Sequence, residues 1–164
     1  MPSTDTEAPL QDHREYLYFL RRAFDGMIEA LEHLGERRAN TAPALPNANA
    51  PYAIAHHCVA VADYWIGHLV AGRKVARDRT SEFKATGNVQ RLRQEVDALF
   101  VRLEADLSEA LPSQRLRDTP PAEFQGPDRP LTVPGVLLHV LEELAQHHGQ
   151  VQITRDLLRT EVPA

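Results

Sequence analysis

The stretch LYFLRRAFDGMIEALEHL, residues 17–34, has the periodicity of an amphipathic helix. Its large apolar side chains recur in steps of three and four residues, with charged residues between them: Leu17, Leu20, Phe24, Met27, Ile28, Leu31 and Leu34. A helix places these side chains on one stripe, which is stable when it is buried against another element. Because Gly35 supplies a stop signal, we predict a first helix from about Leu10 to Leu34.

Three later segments repeat this pattern, over residues 49–72, 88–112 and 132–159. Asn49 is expected to cap the second helix, with Pro51 in its first turn. No segment alternates β-branched and polar residues as a half-buried strand would. Helices that have no sheet to pack on must pack on one another, so we predict an all-α fold, a four-helix bundle.

The composition favours one soluble domain. A chain of 164 residues with 43% apolar and 25% charged residues is ordinary for a globular protein. We therefore predict a single domain over residues 1–164, in which residues 1–9 form a flexible polar tail. The net charge of -5 argues against nucleic-acid binding. The single cysteine favours a reducing cytoplasm, and no apolar run reaches the roughly 18 residues of a membrane helix.

The segment HVLEELAQHHGQ, residues 139–150, carries the residues best suited to chemistry. Glu143 and His147 are four residues apart, so on a helix both side chains lie on one face. That spacing can present a carboxylate oxygen and an imidazole nitrogen to one ion, and the core of a helical bundle is a common place for such a site. His139 lies one further turn back, where it is a ligand, a neighbour of the ligands or an ordinary core residue.

A second histidine cluster, His56 and His57, lies on the second predicted helix. Adjacent helical residues point about 100° apart, so only one of the two can face the interior. His57 shares the apolar stripe of Ile54, Val61 and Trp65, and is the candidate ligand. Position 56 falls on a more exposed face.

Two imidazoles and one carboxylate suit zinc, nickel, manganese or iron, with zinc or nickel preferred. Three protein ligands leave a coordination position open, as in catalytic sites. The competing interpretation is ordinary: a Glu–His pair at this spacing is more often a surface pair, and adjacent histidines are more often solvated. Cys58 is interpreted as a buried inert thiol rather than a soft ligand.

Several motifs together resemble the DinB-like superfamily, also called the DinB/YfiT-like metalloenzymes. A histidine precedes a tryptophan by eight residues in the second helix (His57 and Trp65), and Gly72 closes that helix. An Arg-Asp-Arg-x-x-Glu-Phe stretch follows at residues 77–83, and the last helix carries His-x3-Glu-x3-His-x-Gly at residues 139–149. The resemblance covers nearly the whole chain.

This resemblance implies an up-up-down-down four-helix bundle, frequently a homodimer, with one divalent metal between the helices. In the branch most similar to this chain, the ligands correspond to His57, Glu143 and His147, with His139, Gln150 and His56 as expected neighbours. Relatives in that branch often have a histidine where this chain has Gln150, so the surroundings of the metal differ here.

Characterised members of the superfamily use mycothiol or bacillithiol, so the leading hypothesis is a metal-dependent thiol S-transferase acting on a small-molecule electrophile. One alternative is a metal-dependent hydrolase that activates water. The other is a non-catalytic, stress-related dimeric helical bundle that acts as a binding module. Residues 73–79 are basic and could attract a carboxylate of the thiol, although a solvated surface is the preferred interpretation. Residues 112–132, with five prolines, form a long loop of the kind that often lies over a functional opening.

Overall fold

The computed structural model describes residues 13–160, and every regular element in that range is helical. This confirms the predicted all-α class. The predicted tail, residues 1–9, and the predicted helix start at Leu10 lie outside the described residues. The elements in chain order are α1 (His13–Ala39), α2 (Pro51–Ala62), a π-helix (Asp63–Val70) that continues α2, α3 (Arg79–Glu82), α4 (Val89–Ser108), a 3-10 turn (Ala122–Phe124) and α5 (Val133–Thr160).

The core lies where the apolar stripes of the long helices meet. α1 contacts α2, α4 and α5, and α2 also packs against α4 and α5. Burial of these stripes supplies most of the stability of such helices, since in proteins helical stability comes mainly from the packing of an amphipathic face. The largest side chains that are fully buried come from every long helix except α5 and from the π-helix: Leu20, Phe24, Met27, Ile28, Leu31, Ile54, Trp65, Ile66, Leu69, Leu92, Leu99 and Leu103.

Gly35 interrupts α1 as predicted, although the helix resumes and continues to Ala39. Its backbone has φ 72° and ψ 162°, a conformation that residues with a side chain rarely adopt. The predicted cap of α2 is wrong by one residue: Ala50 occupies the N-cap in an extended conformation, and no side chain caps the helix there. Pro51 in the first turn fixes the helical φ angle and has no N–H that would need a capping partner.

The end of the second predicted helix is π-helical, which the periodicity did not indicate. Within it the amide of Ala71 donates to the carbonyl of Ile66 at 2.9 Å, the i to i−5 pattern of a π-helix. The Arg73 guanidinium lies beside the backbone of Gly67, where any side chain would overlap it. Gly72, with φ 80°, then ends the helix as predicted.

The remaining helix boundaries depend on caps. The Asn88 side chain accepts from the amide of Arg91 at 2.9 Å, so α4 starts as predicted. It ends at Ser108, four residues before the predicted stop at Pro112, because the chain turns at the C-cap residue Glu109. Thr132 accepts from the amide of Gly135 at 3.2 Å at the start of α5. No helix among residues 13–160 is both long and apolar enough to cross a lipid bilayer.

Candidate metal centre

Side chains of α2 and α5 converge on one point between the two helices. One ligand atom from each of His57, Glu143 and His147 lies within 4.8 Å of the other two. Oε2 of Glu143 is 3.7 Å from Nε2 of His57 and 3.6 Å from Nε2 of His147. The two imidazole rings are nearly perpendicular, with centroids 5.0 Å apart. We call these three residues the candidate metal centre.

Local helix geometry and helix packing both contribute to this arrangement. Glu143 and His147 are one turn apart on α5, so the helix itself brings their side chains together. His57 comes from α2, whose apolar neighbours Ile54 and Val61 are buried in the core. Because α2 packs directly on α5, the inner face that buries those neighbours also points His57 at the α5 pair.

The residue that orients His57 is Glu82, at the end of the short helix α3. Nδ1 of His57 is 2.6 Å from Oε2 of Glu82, and both side chains are almost fully buried. With Glu82 ionised, Nδ1 carries the proton and donates, and the other ring nitrogen, Nε2, faces Glu143. Metal-binding histidines are commonly held by a carboxylate in this way.

Arg77 holds Glu82 in its turn. Its Nε and Nη2 atoms donate to the two carboxylate oxygens at 2.8 and 3.1 Å. The guanidinium also packs on the ring of Phe124, 4.7 Å from its centroid. Although burial alone would raise the pKa of Glu82, the hydrogen bonds from His57 and Arg77 lower it to about 2.

The rest of the 77–83 segment supports this arrangement. The carboxylate of Asp78 accepts from the amides of Thr80 and Ser81, at 3.1 and 3.2 Å, and caps α3. The ring of Phe83 stacks on His57 with centroids 4.4 Å apart. Sequence reasoning noted this segment but missed the role of Glu82. The only sequence signal for this role was Glu82 with Arg77 five residues before it. No spacing rule connects such a pair to His57, which lies 25 positions before Glu82.

Gln150 contacts His147 from the solvent side. Nδ1 of His147 is 2.9 Å from Oε1 of Gln150, so the imidazole N–H donates to the amide oxygen and Nε2 faces Glu143. A histidine at position 150 is therefore not required to fix the His147 ring, because the amide supplies the acceptor.

The candidate metal centre is buried on one side and open on the other. The side chain of His57 is 3% exposed, whereas those of Glu143 and His147 are 28% and 20% exposed. The neighbouring imidazoles of His147 and His57 hold the pKa of Glu143 well below its usual value, against the effect of burial. Burial opposes ionisation of His147, but Glu143 and Gln150 raise its pKa above the usual value. A small molecule can thus approach the α5 pair.

The other predicted neighbours lie further out. His139 is buried with its ring against Trp65, centroids 4.5 Å apart, and its pKa is lowered mainly by burial. It is not one of the three grouped residues. His56 is half-buried and stacks on Tyr52, and Nδ1 of this residue has no hydrogen-bond partner within the described range. Neither histidine is brought into the candidate metal centre.

Cys58 is buried in the core, and Arg73 and Arg77 form ion pairs within the fold. Cys58 is fully buried, and burial with the charges of Glu143 and Glu82 raises its pKa well above the usual value. The interpretation of residues 73–79 as a solvated surface is wrong for two arginines, since Arg77 is buried on Glu82 and Arg73 binds Asp106 and Asp63.

Arg79 lies close enough to His147 to act on it electrostatically, and its charge opposes protonation of that imidazole. It is half-exposed and donates to the side-chain oxygen of Gln125 at 2.7 Å.

The donor atoms fit a small divalent cation. Four-coordinate zinc has bonds of about 2.1 Å to nitrogen and oxygen, which place neighbouring donor atoms about 3.4 Å apart. The distances of 3.6 and 3.7 Å from Glu143 to the two histidines are close to that value. Both histidines direct Nε2 inward, and the carboxylate lies between them. Two neutral nitrogens and one anionic oxygen suit zinc, nickel, manganese or iron.

Comparison with known proteins agrees with the resemblance noted in the sequence. The chain matches the family described as Mycothiol-S-transferase over residues 16–160, a range that contains the candidate metal centre and the 77–83 segment. None of the curated proteins and none of the solved structures compared with the chain matches it.

Proposed function

The chain belongs to the mycothiol S-transferase family, and on that premise we propose that it is a divalent-metal-dependent enzyme that transfers a low-molecular-weight thiol to an electrophile. The observation that carries this proposal is the convergence of His57, Glu143 and His147 within 4.8 Å, partly open to solvent. Family membership supports mycothiol as the thiol, with bacillithiol as the alternative. Zinc or nickel is the preferred metal, with manganese or iron as alternatives.

We propose that His57, Glu143 and His147 are the metal ligands. A divalent ion bound there would lower the pKa of a coordinated thiol and make it a nucleophile at neutral pH. The two imidazoles are held with Nε2 inward by Glu82 and Gln150, so little rearrangement is needed on binding. The partial exposure of Glu143 and His147 leaves one side for the thiol, while the buried side of His57 excludes water.

The proposed reaction is a nucleophilic substitution. With a chlorinated aromatic compound, the sulfur of the thiolate forms a bond to the ring carbon, the carbon–chlorine bond breaks, and chloride leaves with the bonding electrons. The thiol proton is released to solvent. Cys58 takes no part, because its thiol is fully buried and held protonated. The attacking sulfur must therefore come from the small-molecule thiol.

The test combines metal analysis with a thiol assay. The purified protein is analysed for bound metal by mass spectrometry, then assayed for conjugation of a chlorinated nitroaromatic with mycothiol, bacillithiol and a simple thiol. We expect about one metal per chain and metal-dependent product formation. His147→Ala should lose both, whereas Glu142→Gln, an exposed acid adjacent to Glu143, should keep both. A metal-loaded protein that consumes no thiol with a broad set of electrophiles would refute the transferase.

No observation favours hydrolysis. Glu142 is exposed and accepts a hydrogen bond from Gln146 at 3.3 Å, and Glu82 is held by His57 and Arg77. Neither carboxylate is placed to act as a base beside the candidate metal centre. Ester cleavage without added thiol in the same assay would reverse this preference, and a protein without metal whose stability is unchanged by chelator would favour a non-catalytic bundle.

We propose the finer architecture on the same premise. The four long helices would form one up-up-down-down bundle, and residues 1–164 would be a single domain with residues 1–9 as its tail. Two copies would associate as a homodimer in the cytoplasm. The mutual packing of α1, α2, α4 and α5 supports the bundle. Sedimentation equilibrium measures the mass in solution, and a monomer at micromolar concentration would contradict the dimer.

A further inference from the structure

A cavity of about 670 Å³ lies under residues 113–120 and 127–132. None of the residues of the candidate metal centre lines it. Its α5 side is formed at Thr132, eleven residues before Glu143, which corresponds to about 16 Å along a helix. The cavity is therefore distinct from the candidate metal centre in its lining, and its size falls within the range of sites that hold small molecules.

The walls of this cavity are anchored to the core. The side-chain amide of Gln114 donates to the carbonyl of Val70 at 3.0 Å, and the amide of Arg117 donates to the carbonyl of Leu69 at 2.7 Å. Further along the same loop, Gly126 lies so close to the Trp65 indole that a side chain would overlap the ring. The loop is thus held against the π-helix, and the space beneath it is preformed.

The lining combines apolar surface with positive charge. The apolar part comes from Leu116, Pro127 and Leu131, and the Trp65 indole, which is only 1% exposed, borders it. Arg115 and Arg129 also line it.

Within residues 13–160, neither of these guanidinium groups forms an ion pair with a carboxylate. The acid in the lining, Asp118, is already engaged: His68 lies 3.0 Å from Oδ2, and the amide of Thr119 donates to Oδ1 at 2.7 Å.

From this complementarity we infer that the cavity binds a small organic anion with an apolar body, of which an aromatic carboxylate is the simplest example. The ring of such a molecule packs against Leu116, Pro127 and Leu131, which gives apolar burial. Its carboxylate pairs with Arg115 and Arg129, whose planar guanidinium groups suit that geometry. The site goes beyond the proposed transferase activity and does not depend on it.

The test uses Trp65 as the reporter, since it is the only tryptophan in the chain. The probe is 4-bromobenzoate, whose bromine quenches the fluorescence of an indole that it approaches closely, as it would from within the cavity that Trp65 borders. The neutral comparison compound is 4-bromobenzyl alcohol. We expect saturable quenching by the acid, with an affinity about tenfold higher than that of the alcohol, because exposed charge pairs add modestly to binding. Absence of saturable quenching, or equal affinities for the two compounds, overturns the inference.

Substitutions locate the site. The double variant Arg115→Gln, Arg129→Gln should lose the preference for the acid. The control is Arg37→Gln, which replaces an exposed arginine of α1 outside the cavity and should leave the preference unchanged. His147→Ala should also bind the acid normally, because the cavity is separate from the candidate metal centre. Loss of quenching in His147→Ala alone would place the probe at the metal centre and overturn the inference, while leaving the proposed function intact.

Discussion

At the scale of single residues, the contact between His57 and Glu82 decides which nitrogen of the His57 imidazole is available to a metal ion. The 2.6 Å hydrogen bond holds the proton on Nδ1, and Arg77 keeps the carboxylate ionised. Arg77 and His57 therefore share one buried partner, the carboxylate of Glu82. This dependence on Glu82 leads to two predictions.

Substitution Glu82→Gln should weaken metal binding by about 10–100-fold, because the amide is a poorer acceptor for His57 and no longer neutralises Arg77. Metal affinity is measured by competition with a chromogenic chelator. The matched control is Glu142→Gln, which removes an exposed carboxylate next to Glu143 and should leave the affinity unchanged. Equal losses in the two variants would show that net charge rather than orientation controls affinity.

The stability contributed by Glu82 should depend on pH. Its folded-state pKa of about 2 lies below the unfolded value of 4.5, so the stabilisation is fully present above pH 4.5 and is lost as pH falls towards 2. Near neutral pH, the free energy of unfolding of the metal-free wild-type protein should therefore exceed that of the Glu82→Gln variant by up to about 3 kcal/mol. Urea denaturation across this range measures the difference, and a constant gap down to pH 2 would contradict the assignment.

At the scale of elements, the π-helix depends on an arginine from the segment that follows it. Arg73 contacts Asp106 of α4 through Nε and Nη2, both at 2.8 Å, and reaches Asp63 at 2.6 Å. The guanidinium occupies the space beside Gly67, where a side chain would otherwise lie. The widened helix and this ion-pair network therefore accommodate each other, and they join the end of the second long helix to α4.

Substitution Gly67→Ala should lower the free energy of unfolding by about 2 kcal/mol, because the new methyl group overlaps Arg73 and forces the network apart. The control is Gly149→Ala in α5, where the added carbon meets no other atom. That change should raise stability by up to about 1 kcal/mol through helix propensity. Chemical denaturation of both variants checks the pair, and destabilisation of similar size in both would refute the packing argument.

At the scale of the whole molecule, the candidate metal centre joins parts of the chain that are far apart in sequence. α2 contributes His57, α5 contributes Glu143 and His147, and α3 braces the site through Glu82. Only the folded chain brings all three donor atoms together. The binding free energy of a metal ion held by all three therefore adds to the stability of the fold.

Zinc should therefore raise the thermal unfolding midpoint, and chelator should reverse the effect. At a free zinc concentration 100 times the dissociation constant, the expected stabilisation is about 2.7 kcal/mol. Differential scanning calorimetry of wild type and His147→Ala, with and without zinc, measures it. An equal rise in the His147→Ala variant would assign zinc binding to another place.

Much of the fold follows from local pattern. The apolar stripes predicted the long helices and their approximate limits, and Gly72 and Asn88 marked an end and a start where the structure has them. The pairing of Glu143 with His147 followed from their four-residue spacing. The stripe also distinguished His57, which is buried, from His56, which is half-buried.

The sequence alone determined these features because they depend on the repeat of a single helix, where residues three and four apart are neighbours whatever else the chain does. Other features arise only when distant segments pack. Glu82 reaches His57 across 25 positions, Arg73 reaches Asp106 across 33, and the Trp65 indole is covered by Gly126, about 60 residues later in the chain. Their geometry depends on how helices and loops fill space together, which no local spacing encodes.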